Sequence, residues 1–260
     1  DGTLSVIDTA TNLVTATVVT TVIPLAPQVL AGKRLFNSSE APRLSTDNWI
    51  SCAVCHFDGT HDGRTWEGFP DGPRNTPSLL GVGETLPVHW SGDLDELADV
   101  ELTVRAIQAG AGLTTGDTLD SLGPRHTGLS EDLDALAAFL GSLEAPVYSL
   151  PAGESVVSGR QVFENLGCDT CHAPPLFTDL QLHDVGTGNP ALERNSHGRG
   201  TSFDTPSLRG LWRTAPYFHD GSATQLKDVL STGTEHNVLG RTTAQEIDDL
   251  VAFLLALPVD

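Results

Sequence analysis

The sequence predicts a mainly α-helical protein written as two similar halves behind a short β-hairpin. Three observations carry that expectation. The pattern Cys-x-x-Cys-His occurs twice, at Cys52-Ala-Val-Cys55-His56 and at Cys168-Asp-Thr-Cys171-His172. Segments beyond each copy recur at one offset of 129 residues: Thr76-Pro-Ser-Leu79 returns as Thr205-Pro-Ser-Leu208, and Pro87-Val-His-Trp-Ser-Gly92 falls on Pro216-Tyr-Phe-His-Asp-Gly221. Each half then ends in a run with helical apolar spacing.

Residues 1–22 alternate, with Leu4, Val6 and Ile7 before a Thr-Asn turn and Leu13, Val14, Val18 and Val19 after it, which predicts a hairpin rich in β-branched residues. The stretch Asp1-Gly-Thr-Leu-Ser-Val-Ile-Asp8 resembles a fragment of one blade of the YVTN β-propeller repeat. A single copy closes no propeller, so it reads either as the remnant of a longer parent or as an ordinary hairpin packed on the two helical halves. Pro24 and Pro27 end it, giving a first segment over 1–26. The first half is then expected over 27–146 and the second over 147–260.

Gly32-Lys-Arg-Leu-Phe36 matches Gly159-Arg-Gln-Val-Phe163, each at the end of a short helix leading to its Cys-x-x-Cys-His motif. A long Gly/Pro-rich excursion, the Thr-Pro-Ser-Leu segment, a polar helix and a closing helix come next in both. The closing helices are marked by Leu133, Leu136, Ala137 and Leu140, and by Ile247, Leu250, Val251, Leu254 and Leu255. Thr243 and Glu246 predict a capping box at the start of the last one. Ala145-Pro146 through Pro151-Ala-Gly153 lacks periodicity and predicts the linker.

Two thiols at this spacing can add to the vinyl groups of one haem, and the adjacent histidine then reaches the iron as its proximal ligand. A redox dithiol, or four cysteines sharing one zinc, also uses Cys-x-x-Cys, but neither needs a histidine after the second cysteine in both copies. The motifs therefore predict two covalently attached c-type haems, on Cys52/Cys55 with His56 and on Cys168/Cys171 with His172. A chain of 260 residues suits two modest domains, each able to bury a porphyrin. All four cysteines are consumed, leaving none for a structural disulfide.

Covalent haem attachment places the expected compartment outside the cytoplasm, periplasmic or extracellular. No basic-apolar-small leader opens the sequence and no apolar run has the length of a membrane span, which reads as a mature, truncated or partial chain. With 34 acidic against 14 basic residues the formal net charge is −20. Such a surface repels nucleic acid and anionic membrane. It suits a cationic redox partner, or serves only as a solvated coat that keeps the protein soluble in high salt.

The segment Thr205-Pro-Ser-Leu-Arg-Gly-Leu-Trp-Arg-Thr-Ala-Pro-Tyr-Phe-His-Asp-Gly221, followed by Leu239-Gly-Arg-Thr242 and the Val251-Ala-Phe-Leu-Leu255 helix, resembles the C-terminal domain of the bacterial dihaem cytochrome c peroxidase and MauG family. Arg74-Asn-Thr-Pro-Ser-Leu79 and His89-Trp-Ser-Gly92 resemble its N-terminal segments. The resemblance spans roughly residues 28 to 258. It implies two cytochrome c-type domains in tandem, with a peroxidatic haem in the first and an electron-accepting haem in the second. It implies an electron relay at Trp90. It also implies a calcium ion held by Asn75 and the carbonyls of Thr214 and Pro216, oxygen donors that suit a hard cation. The family's distal Glu, or Gln in MauG-type members, would fall on Gly110 and Val100, neither of which moves protons; Glu101 lies beside the second position and is the remaining acid-base candidate.

The chain contains no Met, so a Met sixth ligand is excluded at either iron. His126 and His236 sit a few residues before the closing helices, at a separation from His56 and His172 comparable to that of the family's Met, and are the expected sixth ligands. His61, His89, His183 and His219 are the further candidates. Two histidine ligands close an iron, whereas one vacant position opens it to peroxide. The sequence thus supports a dihaem electron carrier, with a hydrogen-peroxide-reducing peroxidase or a MauG-like oxidase of a partner protein as the alternatives.

Overall fold

The computed structural model describes residues 2–69, 71–116, 120–147, 153–193 and 198–258. The chain opens with β1 (Thr3–Asp8) and β2 (Leu13–Val19), antiparallel and joined through Asn12 in the left-handed region. Leu4 stands opposite Val18 and Val6 opposite Ala16, while Ser5 faces Thr17, so one face of the ribbon is apolar and the other is hydroxylic. Leu4, Val6, Ile7, Val14 and Val18 are all at least half exposed. The hairpin is therefore not packed on the helical halves, which corrects that alternative: the apolar face touches solvent.

Two helix pairs form the rest of the frame. In the first half α1 (Pro27–Phe36) crosses α4 (Glu131–Gly141), and in the second α5 (Glu154–Asn165) crosses α7 (Ala244–Ala256). Both crossings use the same device. Gly32 lies so close to the Ala135 carbonyl, and Gly159 to the Asp249 carbonyl, that a Cβ at either position would collide with backbone. That approach brings Phe36 against Phe139, ring centroids 5.1 Å apart, and Phe163 against Phe253 at 5.3 Å. Around the first pair pack Leu44, Ala98, Leu133 and Leu136, and around the second Leu226, Leu230, Leu250 and Leu257, giving each half its own apolar core.

The caps match the sequence. Pro27 starts α1, where a missing N–H costs nothing. Thr243 Oγ1 accepts from the Glu246 N–H and Glu246 Oε2 accepts from the Thr243 N–H at 2.7 Å, the predicted box. A second pair of boxes marks the repeat: Glu96 with Asp99 precedes α3 (Val100–Ala106), and Gln225 with Asp228 opens α6 (Leu226–Val229). The short helix α2 (Cys52–Cys55) carries the first motif.

The excursions between helices fold as turns, 3-10 segments and two further two-stranded sheets, β3 (Thr65–Trp66) with β4 (Arg74–Asn75), and β5 (Leu182–His183) with β6 (Phe203–Asp204). The cores are helical as expected, but loops make up much of the chain and the hydrogen bonds of those loops run largely to backbone. The predicted linker is seen at its ends alone, since residues 148–152 lie outside the described ones.

The halves meet along a polar seam. Asp204 N–H donates to the Trp90 carbonyl at 2.8 Å, and Thr65 Oγ1 donates to the Asp220 carbonyl at 2.9 Å. Arg209 pairs with Glu84 at 2.7 Å. Arg74 pairs with the buried Glu193 at 2.9 Å, and Glu193 also holds His219 Nε2 at 3.0 Å. No helix among the described residues is long and apolar enough to cross a membrane.

Candidate haem sites

Both motifs fold as a single turn that returns the histidine over the first cysteine. His56 N–H donates to the Cys52 carbonyl and His172 N–H to the Cys168 carbonyl, each at 2.9 Å. All four thiols are free, and Cys52 and Cys168 pack against different apolar cores, so the four do not converge on one zinc. Burial pushes every one of these thiols up, Cys55 to about 11, the opposite of the lowered value that activates a redox dithiol.

The imidazoles are oriented for a metal. His56 Nδ1 donates to the Pro77 carbonyl at 3.1 Å, and His172 Nδ1 to the Phe177 carbonyl at 3.1 Å. With Nδ1 carrying the proton, Nε2 keeps its lone pair, the tautomer and ring orientation that a ligating histidine takes from its outer partner. Burial lowers both groups to about 4, which keeps the rings neutral and able to donate that pair.

A second ring faces His172. Its partner is His236, with ring centroids 6.4 Å apart. Two imidazoles sharing one metal through bonds of about 2.0 Å place their centroids roughly 6.3 Å apart, so the spacing fits one iron between them. Phe218 lies beside His236, centroids at 5.9 Å. The donor set around the second motif thus fits an iron porphyrin, two thiols on one edge and a nitrogen on each side.

The first motif differs. Among the described residues no ring pairs with His56. His126 is fully buried, but its Nδ1 bonds Asp99 Oδ1 at 2.7 Å, its backbone N–H is held by Glu96, and its Nε2 is sealed in without a partner. The physical reason is the capping box before α3: its two carboxylates take the loop carrying His126 and pin it to the helix start. The structure brings His172 and His236 together and does not bring His126 to His56.

The remaining candidates are engaged elsewhere. His61 donates through Nε2 to the Arg213 carbonyl at 2.6 Å and accepts from Gly63 N–H at Nδ1, so both nitrogens are spent across the seam. His183 Nε2 bonds Asp179 at 2.8 Å. His219 stacks on Phe203, centroids 3.9 Å apart. His89 bonds Asp93 through Nδ1 at 3.1 Å. Glu101 is fully buried and accepts from Leu113 N–H at 2.7 Å, Thr114 Oγ1 at 2.8 Å and Arg105 Nε at 2.8 Å, so its carboxylate anchors the 111–114 loop rather than standing free to move protons.

Trp90 sits on the seam, its indole N–H donating to the Asn75 carbonyl at 2.7 Å. Asn75 donates through Nδ2 to the Pro216 carbonyl at 2.6 Å, while its buried Oδ1 has no partner. Asn75 and Pro216 are thus in contact, through the amide nitrogen of Asn75; Thr214 spends its N–H on the Leu211 carbonyl at 3.3 Å. Two features escaped the sequence. Gln108 reaches Cys52 Sγ through Nε2 at 3.4 Å and buries an unpartnered Oε1, and the Arg74–Glu193–His219 group closes the seam. Single polar residues in irregular loops carry no spacing that would flag them.

Asp204 on the seam carries a pH dependence. Its Oδ1 is buried without a partner, and burial pushes the carboxyl up to about 7, with Asp179 adding to the effect and Arg199 opposing it. The folded value lies above the unfolded one, so the folded state holds the extra proton and loses stability as pH rises from about 4 to about 7. Asp204→Asn removes that loss. It is expected to stabilise the protein by about 1 to 2 kcal/mol at pH 8 and to change nothing near pH 3; melting temperatures at the two pH values check it.

A family model described as di-haem cytochrome c peroxidase matches residues 26–127, and one described as RoxA-like, cytochrome c-like, matches residues 202–237. The chain is 29% identical over 298 residues to the methylamine utilization protein MauG of Methylorubrum extorquens, across 91% of this chain and 80% of that one. It is 30% identical to hydrazine synthase subunit gamma of Kuenenia stuttgartiensis, across 80% and 72%. A solved structure of the Kuenenia stuttgartiensis hydrazine synthase superposes with a TM-score of 0.65 at 25% identity, covering 90% of this chain and 89% of that one. With the two motifs, the seam around Trp90 and these likenesses taken together, the chain belongs to the di-haem cytochrome c peroxidase and MauG family.

Proposed function

We propose that this protein is a dihaem c-type cytochrome that passes electrons between two covalently held haems, residues 27–146 carrying one and residues 147–260 the other. Cys52, Cys55 and His56 hold the first; Cys168, Cys171 and His172 hold the second, with His236 as its sixth ligand. When bound, the haems supply one-electron chemistry. The chain's own part is to fix the tautomer of each proximal histidine through the Pro77 and Phe177 carbonyls, and to keep both rings dry and neutral. Trp90 lies on the path between the two sites, held by hydrogen bonds at both its indole and its carbonyl. The observation that carries this reading is the 6.4 Å pairing of His172 with His236, a spacing at which the two imidazoles would together close an iron and suit it to electron transfer.

The same observation favours a second reading for the first site. Among the described residues no ring pairs with His56 as His236 does with His172, so an iron held by His56 would keep an open position, and hydrogen peroxide reduction by electrons delivered through the second site is the activity that would fit. Asn75 with the Pro216 and Thr214 carbonyls holds a calcium ion that ties the halves together. The donor is a protein carrier, with a cationic face to match the acidic surface, and the compartment is periplasmic or extracellular. Electron paramagnetic resonance of the oxidised protein tests the assignment: one low-spin bis-histidine signal and one high-spin signal are expected. Two low-spin bis-histidine signals would leave a carrier with no open iron, and an intact mass without two added haems would overturn the account.

A further inference from the structure

The repeat shows what replaces the closed arrangement of the second site in the first. At the offset of 129, His236 falls on Ile107, Phe218 on His89, and Ser222 on Asp93. Phe218 lies beside His236, the ring that pairs with His172. His89 and Phe218 share one backbone frame. Both have φ of +68°, a conformation that costs a non-glycine residue about 1 to 3 kcal/mol and persists where the surroundings enforce it. Gly92 N–H closes on the His89 carbonyl at 3.0 Å and Gly221 N–H on the Phe218 carbonyl at 3.2 Å. The bridges Val88–Leu94 and Tyr217–Ala223 flank the two turns identically.

The shared frame therefore gives His89 in the first half the place that Phe218 holds beside His236 in the second, and Ile107, the counterpart of His236, precedes Gln108, whose Nε2 reaches Cys52 Sγ at 3.4 Å. Asp93 holds His89 Nδ1 at 3.1 Å, so Nε2 is the free end, on a side chain 39% exposed and open to a small solute. The second half has no such pair, since phenylalanine and serine stand at the two positions.

We propose that His89, held by Asp93, is the proton-transfer residue on the open side of the first haem, in place of the carboxylate that Gly110 and Val100 cannot supply. This rests on the open-iron reading given above. His89 Nε2 would take a proton from one peroxide oxygen and return it to the other, which would leave as water with both electrons of the O–O bond, the two haems supplying the two electrons that the remaining oxygen needs. A reduced one-electron protein carrier restores two electrons and solvent two protons, so that one peroxide yields two waters. Imidazole is the group most used for such transfers, worth typically 100-fold to 10,000-fold in rate.

The test uses the oxidised dihaem protein and two probes, cyanide and hydrogen peroxide, with stopped-flow absorbance and the haem spin state as readouts. His89→Phe installs the residue that the other half accommodates at the same φ, which guards against misfolding; His89→Asn provides a second variant tolerant of that conformation. Cyanide association and peroxide reaction are expected to slow by about 100-fold or more in both variants, with the first haem high-spin throughout and the second unchanged. An unimpaired variant overturns the proposal. So does a first haem that is low-spin in the wild type and becomes high-spin in the variants, because His89 would then be a ligand. A wild-type protein inert to both probes instead overturns the open-iron reading beneath it.

Discussion

Valine in place of Gly159 is expected to unfold the second half or to cost it about 3 kcal/mol or more, the largest stability effect of any single change at these crossings. Gly159 on α5 lies against the Asp249 carbonyl and the Phe253 side chain, and any Cβ there overlaps main-chain atoms that cannot rotate away. The helices must separate, and the Phe163–Phe253 contact at 5.3 Å opens with them. Overpacking alone costs typically 1 to 3 kcal/mol, and the lost aromatic and aliphatic contacts add to it. The better helix propensity of valine over glycine returns only a few tenths. Against a total stability of about 5 to 15 kcal/mol this is decisive. Gly233, exposed and outside any helix, has open space around it, so Gly233→Ala is the neutral control. Thermal unfolding by circular dichroism distinguishes them, and a Gly159→Val protein that melts with the wild type would refute the close crossing.

The second large effect is spectroscopic. His236→Ala is expected to convert one of the two ferric haems completely from low-spin to high-spin, leaving the other signal in place. His236 is bonded at its backbone N–H to Thr234 Oγ1 at 3.2 Å and is otherwise a ring aimed across 6.4 Å at His172. Its removal takes away the proposed ligand without touching the second apolar core, so folding should survive while the coordination changes. A spectrum identical to wild type would mean that His236 is a neighbour of the site and not its ligand. His126→Ala makes the contrast: with its Nδ1 on Asp99 it is expected to weaken the loop before α4 and leave both spin states as they were.

Much of this was legible in the sequence because the repeat doubled every signal. Gly32 and Gly159, Phe36 and Phe163, and the Thr-Pro-Ser-Leu segments could be read against each other, and each pair occupies equivalent places. The distance of His236 to the closing helix pointed to a ring near the second motif, and His236 does pair with His172. By the same rule His126 was a candidate, but Glu96 and Asp99 form a capping box whose carboxylates hold that histidine, and nothing in the linear spacing says which group a buried ring will meet first. Glu101 looked like an acid free to act, yet three donors from one loop and its own helix converge on it only after α3 has formed. Gln108 and Glu193 lie in stretches without periodicity, where contacts are decided by how loops close and not by any local pattern.

The seam between the halves has a further consequence. It is laid down by directional bonds from side chains and amides to main-chain carbonyls, at Trp90, Asn75, Thr65 and His61, and not by interlocked hydrocarbon. Greasy surfaces can slide past one another at little cost, whereas a row of such donors works in one alignment alone. Because tunnelling falls off steeply with separation, a joint that cannot creep keeps the distance part of the transfer rate fixed as the molecule warms.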